Sequence, residues 1–289
     1  MQRSRAGVVG AGRVGAVLAA RLRTAGHQLI GVSGRSEATR LRITALLGDV
    51  PVLSPAALAR ESDILLLTVP DDVLPGLAEE LAAHVRPGQL VLHTSGRLGA
   101  GVLAPLASAG ARTVACHPAM TFAGVEADVE RRCVFGLTAA DTEREAAEAL
   151  VADLGGTPMW IAEADRVAYH AALAHGANHL VTLVAQAMDA LRSVGAQDPA
   201  AVLRPLLSAA LDNTLAYGDA ALTGPIARGD AEAVRDHLDA LDETTAQTYR
   251  ALAQATAARA LDSGRLRPEQ SEPLRETLAR ADRAEEAVR

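Results

Sequence analysis

Gly10-Ala11-Gly12-Arg13-Val14-Gly15 follows directly on the apolar run Ala6-Gly7-Val8-Val9, and glycines at this spacing between a strand and a helix suit the pyrophosphate of a dinucleotide. Gly10 permits the tight bend, Gly12 lets backbone N–H groups close on the phosphates, and Gly15 lets the helix pack on the strand. Ala11, Arg13 and Val14 complete the turn, where the helix N-terminus offers unpaired N–H groups and a positive dipole end. The pattern alone is weak in a chain with 24 glycines, but its setting is specific. Val14, Val17, Leu18 and Leu22 recur at helical spacing, Gly26 stands at a helix C-terminus, and His27–Val32 reads as a second strand.

The residues behind that second strand would meet the adenosine ribose. An acid there would bond the 2′-hydroxyl of NAD; this chain has Ser33-Gly34-Arg35-Ser36 and no acid before Glu37. A guanidinium flanked by two hydroxyls, Ser33 and Ser36, suits a 2′-phosphate, so NADP(H) is expected over NAD(H).

Other chemistry-bearing residues stand where strands should end. Val69-Pro70-Asp71 follows one apolar strand, His93-Thr94-Ser95-Gly96 the next, and His117-Pro118 another. Val69 and Pro70 are expected against the cofactor. Ser95 is placed to bond a nicotinamide amide or a substrate oxygen, and His117 to donate a proton or orient a carbonyl. For His93, local turn chemistry is the expectation.

Further along, His175, Asn178, His179, Thr182, Gln186 and Asp189 recur at spacings of three and four, as one stripe of a helix would. Neutral donors and acceptors dominate its upper part, which suits the wall of a polar cavity; Thr182, Gln186 and Asp189 equally suit packing against protein or water. His175, Asn178 and His179 are the members of the stripe expected to be functional, with His179 toward substrate. His175 and His179 are spaced for a metal, but Gly176 stands where a metalloprotease helix carries glutamate and no third ligand is assignable, so no metal is expected. Asn213 and Arg228 are expected to contact substrate, Arg228 by clamping a carboxylate. Asp230 is expected to cap the helix after it.

Strand and helix patterns must hold these groups in place. Ser54-Pro55 opens a helix running through Arg60, Asp63–Val69 reads as a strand buried on both faces, and further strands are expected at Gln89–His93, Thr113–Cys116, Cys133–Leu137 and Thr157–Ile161. This alternation implies a doubly wound α/β domain over 1–162, and the loss of strand signals beyond it an all-helical domain over 163–289.

A formal net charge of −7 and an aromatic content of 2% argue against nucleic-acid binding. Cys116 and Cys133 are too few to staple 289 residues, and Cys116 and His117 should point to opposite faces of a strand, which separates a thiol from a base. Met1–Arg5 lead straight into the first strand and no apolar run suits a membrane span, so a cytoplasmic location is expected. The sequence holds no lysine, and any mechanism needing one is excluded.

These residues together resemble the superfamily of ketopantoate reductase, pyrroline-5-carboxylate reductase and the β-hydroxyacid dehydrogenases. The nearest resemblance is to a bacterial group with a Rossmann-like N-terminal domain and a helical C-terminal domain of formerly unknown function. It is carried by His93–Gly96, His117-Pro118, Ala174–Leu180 and Leu222–Asp230. The resemblance implies an NADPH-dependent oxidoreductase with substrate between its domains and a homodimer joined through the helical domains. Ketopantoate-like 2-oxo acids are the expected substrates; imine reduction, deazaflavin–NADP hydride exchange and a non-catalytic NADP(H) sensor are the alternatives. Where relatives carry a lysine acid followed by asparagine, this chain has His175 and Asn178, so the resemblance implies His175 as the proton donor with Asn178 beside it.

Overall fold

The structure, a computed structural model, describes residues 3–286, with side chains described through 279. Met1, Gln2 and residues 287–289 lie outside them. The chain divides at Ala177/Asn178 into two compact units.

The first unit contains β1 (Arg5–Val9), α1 (Arg13–Thr24), β2 (Gln28–Ser33), α2 (Glu37–Leu47), α3 (Pro55–Glu61), β3 (Ile64–Leu67), α4 (Leu74–Leu81), β4 (Leu90–His93) and α5 (Ala104–Ser108). There follow β5 (Arg112–Pro118), α6 (Ala127–Glu130), β6 (Val134–Ala139), α7 (Arg144–Asp153), β7 (Thr157–Trp160) and α8 (Arg166–Leu173). The strands form one sheet in the order β2-β1-β3-β4-β5-β6-β7, with β5 and β6 antiparallel and every other pair parallel. Strand order therefore reverses beside β1, where β2 leaves to one side and β3 to the other.

Sequence periodicity accounts for this architecture. All four side chains of β3 are buried: Ile64 and Leu66 join Leu18 and Leu22 of α1 on one face, while Leu65 and Leu67 join Leu58 of α3 and Leu74, Leu77 and Leu81 of α4 on the other. Burial of each such leucine contributes roughly 1.5–3 kcal/mol, and helices on both faces are what a buried parallel sheet requires. Ser54 Oγ accepts from Ala57 N at 3.2 Å, with Pro55 in the first turn, so α3 starts where its cap placed it. The helix α2 is capped in the same way by Ser36, whose side chain accepts from Thr39 N.

The expected boundary between residues 162 and 163 falls too early by this division, because the helical residues after it are tied to the sheet. Glu163 accepts from Ala100 N and Gly101 N at 3.0 and 3.1 Å, and the buried Arg166 guanidinium donates to Ser95 O at 2.7 Å and to Thr138 Oγ1 at 3.0 Å. Loss of strand pattern marks the end of the sheet, not of its packing.

The second unit is helical: α9 (His179–Ser193), α10 (Pro199–Tyr217), α11 (Gly224–Arg228), α12 (Ala231–Ala240), α13 (Glu243–Asp262) and α14 (Pro268–Glu286). Its core joins Ile226, Val234, Ala253, Ala257, Leu266 and Leu274 from α11 through α14. Asp230 Oδ1 accepts from Ala233 N at 3.1 Å, capping α12 as expected. No described helix is long and apolar enough to cross a membrane.

Candidate functional site

Gly10 ends β1 at φ +97°, a conformation open to glycine at little cost, and its N–H donates to Ser33 O and Ser33 Oγ at 3.2 and 3.1 Å. Thr68, just beyond β3, donates from Oγ1 to Gly10 O at 2.7 Å. The turn is thereby pinned where strand order reverses, the position at which open α/β sheets bind ligands. The three glycines divide their duties. A Cβ on Gly10 would lie 2.7 Å from Thr68 O, and one on Gly15 would lie 2.3 Å from both Gly10 O and Thr68 Oγ1, so both are demanded by the chain's own packing. A Cβ on Gly12 would meet only Gly10 O, at 3.9 Å. Nothing in the described protein requires glycine there, and the space it leaves would admit a closely approaching ligand. No side chain caps the N-terminus of α1, its first turn carries no acid, and Arg13 stands in that turn. This polar, uncapped cradle fits a dinucleotide pyrophosphate.

A cavity of about 820 Å³ adjoins the turn, with Gly10, Ser33, Gly34, Arg35, Val69 and Asp72 in its lining. Arg35 is exposed, and Arg40 of α2, unremarked in the sequence reading, donates to Arg35 O at 3.2 Å. Ser36 departs from expectation in one respect: its hydroxyl accepts from Thr39 N and pairs with Thr39 Oγ1 at 2.8 Å, so it shapes the start of α2. Ser33 likewise spends its hydroxyl oxygen on Gly10 N. That leaves Arg35 as the one fully charged group of the expected phosphate set.

At the carboxyl ends of β4 and β5 lies a second cluster. His93, wholly buried, donates from Nε2 to Gly99 O at 2.9 Å and accepts at Nδ1 from Ser95 N at 3.1 Å, which fixes its tautomer. Burial, above all, pushes it down to about 4, so it is a neutral turn-builder, as expected of it. Ser95 is buried, and its Oγ accepts from Leu98 N at 3.1 Å. His117 Nδ1 lies 2.9 Å from Tyr169 Oη of α8, and its ring meets His170 edge-to-face at 5.8 Å. Burial first, then the neighbouring His170 and Arg166 charges, push His117 down to about 4. At neutral pH it is a neutral imidazole, a hydrogen-bond partner rather than a ready acid. Cys116 points away into the core, its thiol pushed up to about 12 by burial, which separates it from His117 as strand alternation requires.

Arg166, Tyr169 and His170 escaped the sequence reading, since they read as ordinary helix. The available signal lay in two glycines. A Cβ on Gly96 would sit 2.3 Å from His170 Cδ2, and one on Gly136 would sit 2.7 Å from Tyr169 Oη, so each glycine is a seat for an aromatic ring.

The expected helical stripe is not one α-helix. Ala174–Asn178 form a π-helical turn between α8 and α9, and this turn carries His175 and Asn178. The wider turn breaks the three-and-four spacing that the stripe assumed, and π-turns are frequent at functional sites. In α9, Gln186 Nε2 donates to Thr248 Oγ1 at 3.1 Å and Asp189 pairs with Arg192, the packing alternative for both. His179 opens α9, Asn213 is exposed on α10, and Arg228 is exposed at the end of α11. Among the described residues no three His, Cys, Asp or Glu side chains are grouped to hold a metal.

A mostly parallel sheet whose strand order reverses at a glycine turn, followed by a helical unit, defines the class: a Rossmann-like fold with a helical C-terminal part. The finer assignment agrees. Residues 1–118 match the Rossmann-like domain, and residues 133–256 match DUF2520, a domain of unknown function. This is the domain pair to which the sequence motifs pointed.

No curated protein matches the chain. Solved structures do. A Bacteroides fragilis protein provisionally described as an NADP oxidoreductase is 20% identical, with 89% of this chain and 98% of that one covered at a TM-score of 0.76. An imine reductase from Myxococcus stipitatus in complex with NADP⁺ is 19% identical over 90% and 93% of the two chains, TM-score 0.61. Pyrroline carboxylate reductase of Plasmodium falciparum with NADP bound is 15% identical over 90% and 99%, TM-score 0.60. At these identities the likeness establishes the shared fold.

Proposed function

We propose that the chain is an NADPH-dependent oxidoreductase that reduces a small carbonyl or imine compound, with 2-oxo acids as the first substrates to test. The observation that carries this reading is the open space over Gly12, kept free beside an uncapped helix N-terminus and an arginine-lined cavity. The names of the structural relatives, oxidoreductases and reductases with NADP among their ligands, support it. When bound, the nicotinamide supplies hydride.

The chain's own residues do the rest. Gly10 through Gly15 present N–H groups to the pyrophosphate, and Arg35 meets the 2′-phosphate with Arg40 behind it. Val69 stands beside the glycine turn, Pro70 next to it in sequence is assigned to the same cofactor wall, and Ser95 shapes the loop beyond β4. By the resemblance, His175 and Asn178 on the π-turn are assigned to the reacting end of the substrate as the catalytic pair, and His179, Asn213 and Arg228 to substrate contact, Arg228 for a carboxylate. The exposed apolar side chains of α9 and α10, among them Val181, Leu206 and Leu215, are assigned to a homodimer interface.

The test is oxidation of NADPH across a panel of 2-oxo acids, cyclic imines and deazaflavins. Turnover with a 2-oxo acid or an imine is expected. NADPH binding without oxidation of any member would replace the enzyme by a cofactor-binding sensor.

A further inference from the structure

Resting on the reductase reading, we propose that Tyr169, in place of His175, is the proton donor of the reaction, with His117 as the residue that positions its hydroxyl. The chain has no lysine to fill this role. The cluster stands at the carboxyl ends of β4 and β5, on the side of the sheet where its ligands belong.

Geometry carries the assignment. Tyr169 is half-buried, its hydroxyl 2.9 Å from His117 Nδ1, and Gly136 provides the room in which that hydroxyl sits. With the imidazole in its Nδ1–H form, His117 donates to the phenol oxygen and leaves the phenol proton for a third group. Edge-to-face contact with His170 and the strand position of His117 hold the ring in place. Behind the phenol lies Arg166, its guanidinium 6.0 Å from the Tyr169 ring centroid. This cation is wholly buried, no carboxylate among the described residues pairs with it, and its Nε has no hydrogen-bond partner among them. A buried guanidinium held by carbonyl and hydroxyl oxygens keeps its positive field, and that field stabilises a phenolate beside it.

The charges around the pair oppose one another, and burial is the largest influence on both groups. Tyr169 faces Arg166, Cys116 and Cys133, and burial outweighs the arginine to raise the phenol above its ordinary value, so it keeps its proton at neutral pH. His117 faces His170, Arg166, Asp71 and His93, and stays neutral.

The step balances as follows. Bound NADPH would supply the hydride, with its electron pair, that forms the new C–H bond at the substrate carbonyl carbon, NADPH being oxidised and the carbonyl reduced. The C=O π pair moves to oxygen, the Tyr169 O–H bond breaks, and the new alcohol O–H bond forms. The phenolate, held by His117 Nδ1–H, recovers its proton from water; for an imine the same proton goes to nitrogen.

The test compares Tyr169→Phe with the full-length wild type, using NADPH and whichever panel member wild type reduces. Expected are a kcat lowered about 10²-fold or more, as for loss of a general acid, and an unchanged NADPH affinity by fluorescence titration. The fall in wild-type kcat at high pH, where the phenol ionises, should vanish in the variant. His117→Asn should fold, lower kcat less, and shift that alkaline limb, which keeps the test decisive if Tyr169→Phe is unstable. His175→Ala should act mainly on KM. Wild-type turnover with Tyr169→Phe retaining both kcat and the alkaline limb would overturn the donor assignment and leave the reductase reading standing. Failure of wild type itself to oxidise NADPH with any substrate would overturn both.

Discussion

Two of the turn glycines answer to the protein's own packing and the third, Gly12, to the proposed cofactor, and substitution can separate these roles. Gly15→Ala forces a methyl to within 2.3 Å of Gly10 O and should lower stability by roughly 1–3 kcal/mol, read as a drop in Tm. Gly12→Ala should fold with an unchanged Tm and lose NADPH binding in a fluorescence titration. His93 belongs to the same scale. The unfolded chain takes up a proton on this histidine near 6.5, whereas the folded chain resists until about 4. Its contribution is therefore complete above pH 6.5 and lost as pH falls toward 4, an effect of about 3 kcal/mol by linkage. Thermal melts between pH 7 and 4.5 should show this loss, and His93→Asn should flatten the profile.

Elements carried most of what the sequence could reveal, and the reason is periodicity. Ile64-Leu65-Leu66-Leu67 is apolar on both faces and could only be an interior parallel strand, and Ser54-Pro55 names its own helix start. The glycine turn was legible because its chemistry is local. By contrast, α8 reads as an amphipathic helix whether or not it touches the sheet. Its seating depends on Arg166 reaching Ser95 O and Thr138 Oγ1, residues 71 and 28 positions away in sequence. Long-range contacts of that kind leave no spacing signal, so the Tyr169–His117 pair and the later unit boundary both went unread. The π-turn was hidden for a related reason, since its composition does not distinguish it from α-helix. Removing the clasp tests its importance: Arg166→Ala should destabilise the first unit by about 2–4 kcal/mol, the loss of charge-assisted hydrogen bonds to buried acceptors, measured by chemical denaturation.

On the scale of the whole molecule, the two units differ in how completely each closes its own core. The sheet unit buries large apolar side chains on both faces, whereas Val181, Val202, Leu206, Leu211 and Leu215 of α9 and α10 remain exposed at 52% or more. Apolar surface of this extent is what a second copy would cover under the proposed homodimer. Light scattering on the full chain should give twice the monomer mass, and Leu206→Glu with Leu215→Glu should give monomer. The most direct test of the central claim is a titration of the full chain with NADPH and with NADH, followed by fluorescence. NADPH should bind at least about tenfold more tightly, with Arg35→Ala narrowing the gap by the worth of one charge-assisted hydrogen bond. Equal affinities for the two cofactors would contradict the 2′-phosphate assignment, and binding of neither would contradict the oxidoreductase itself.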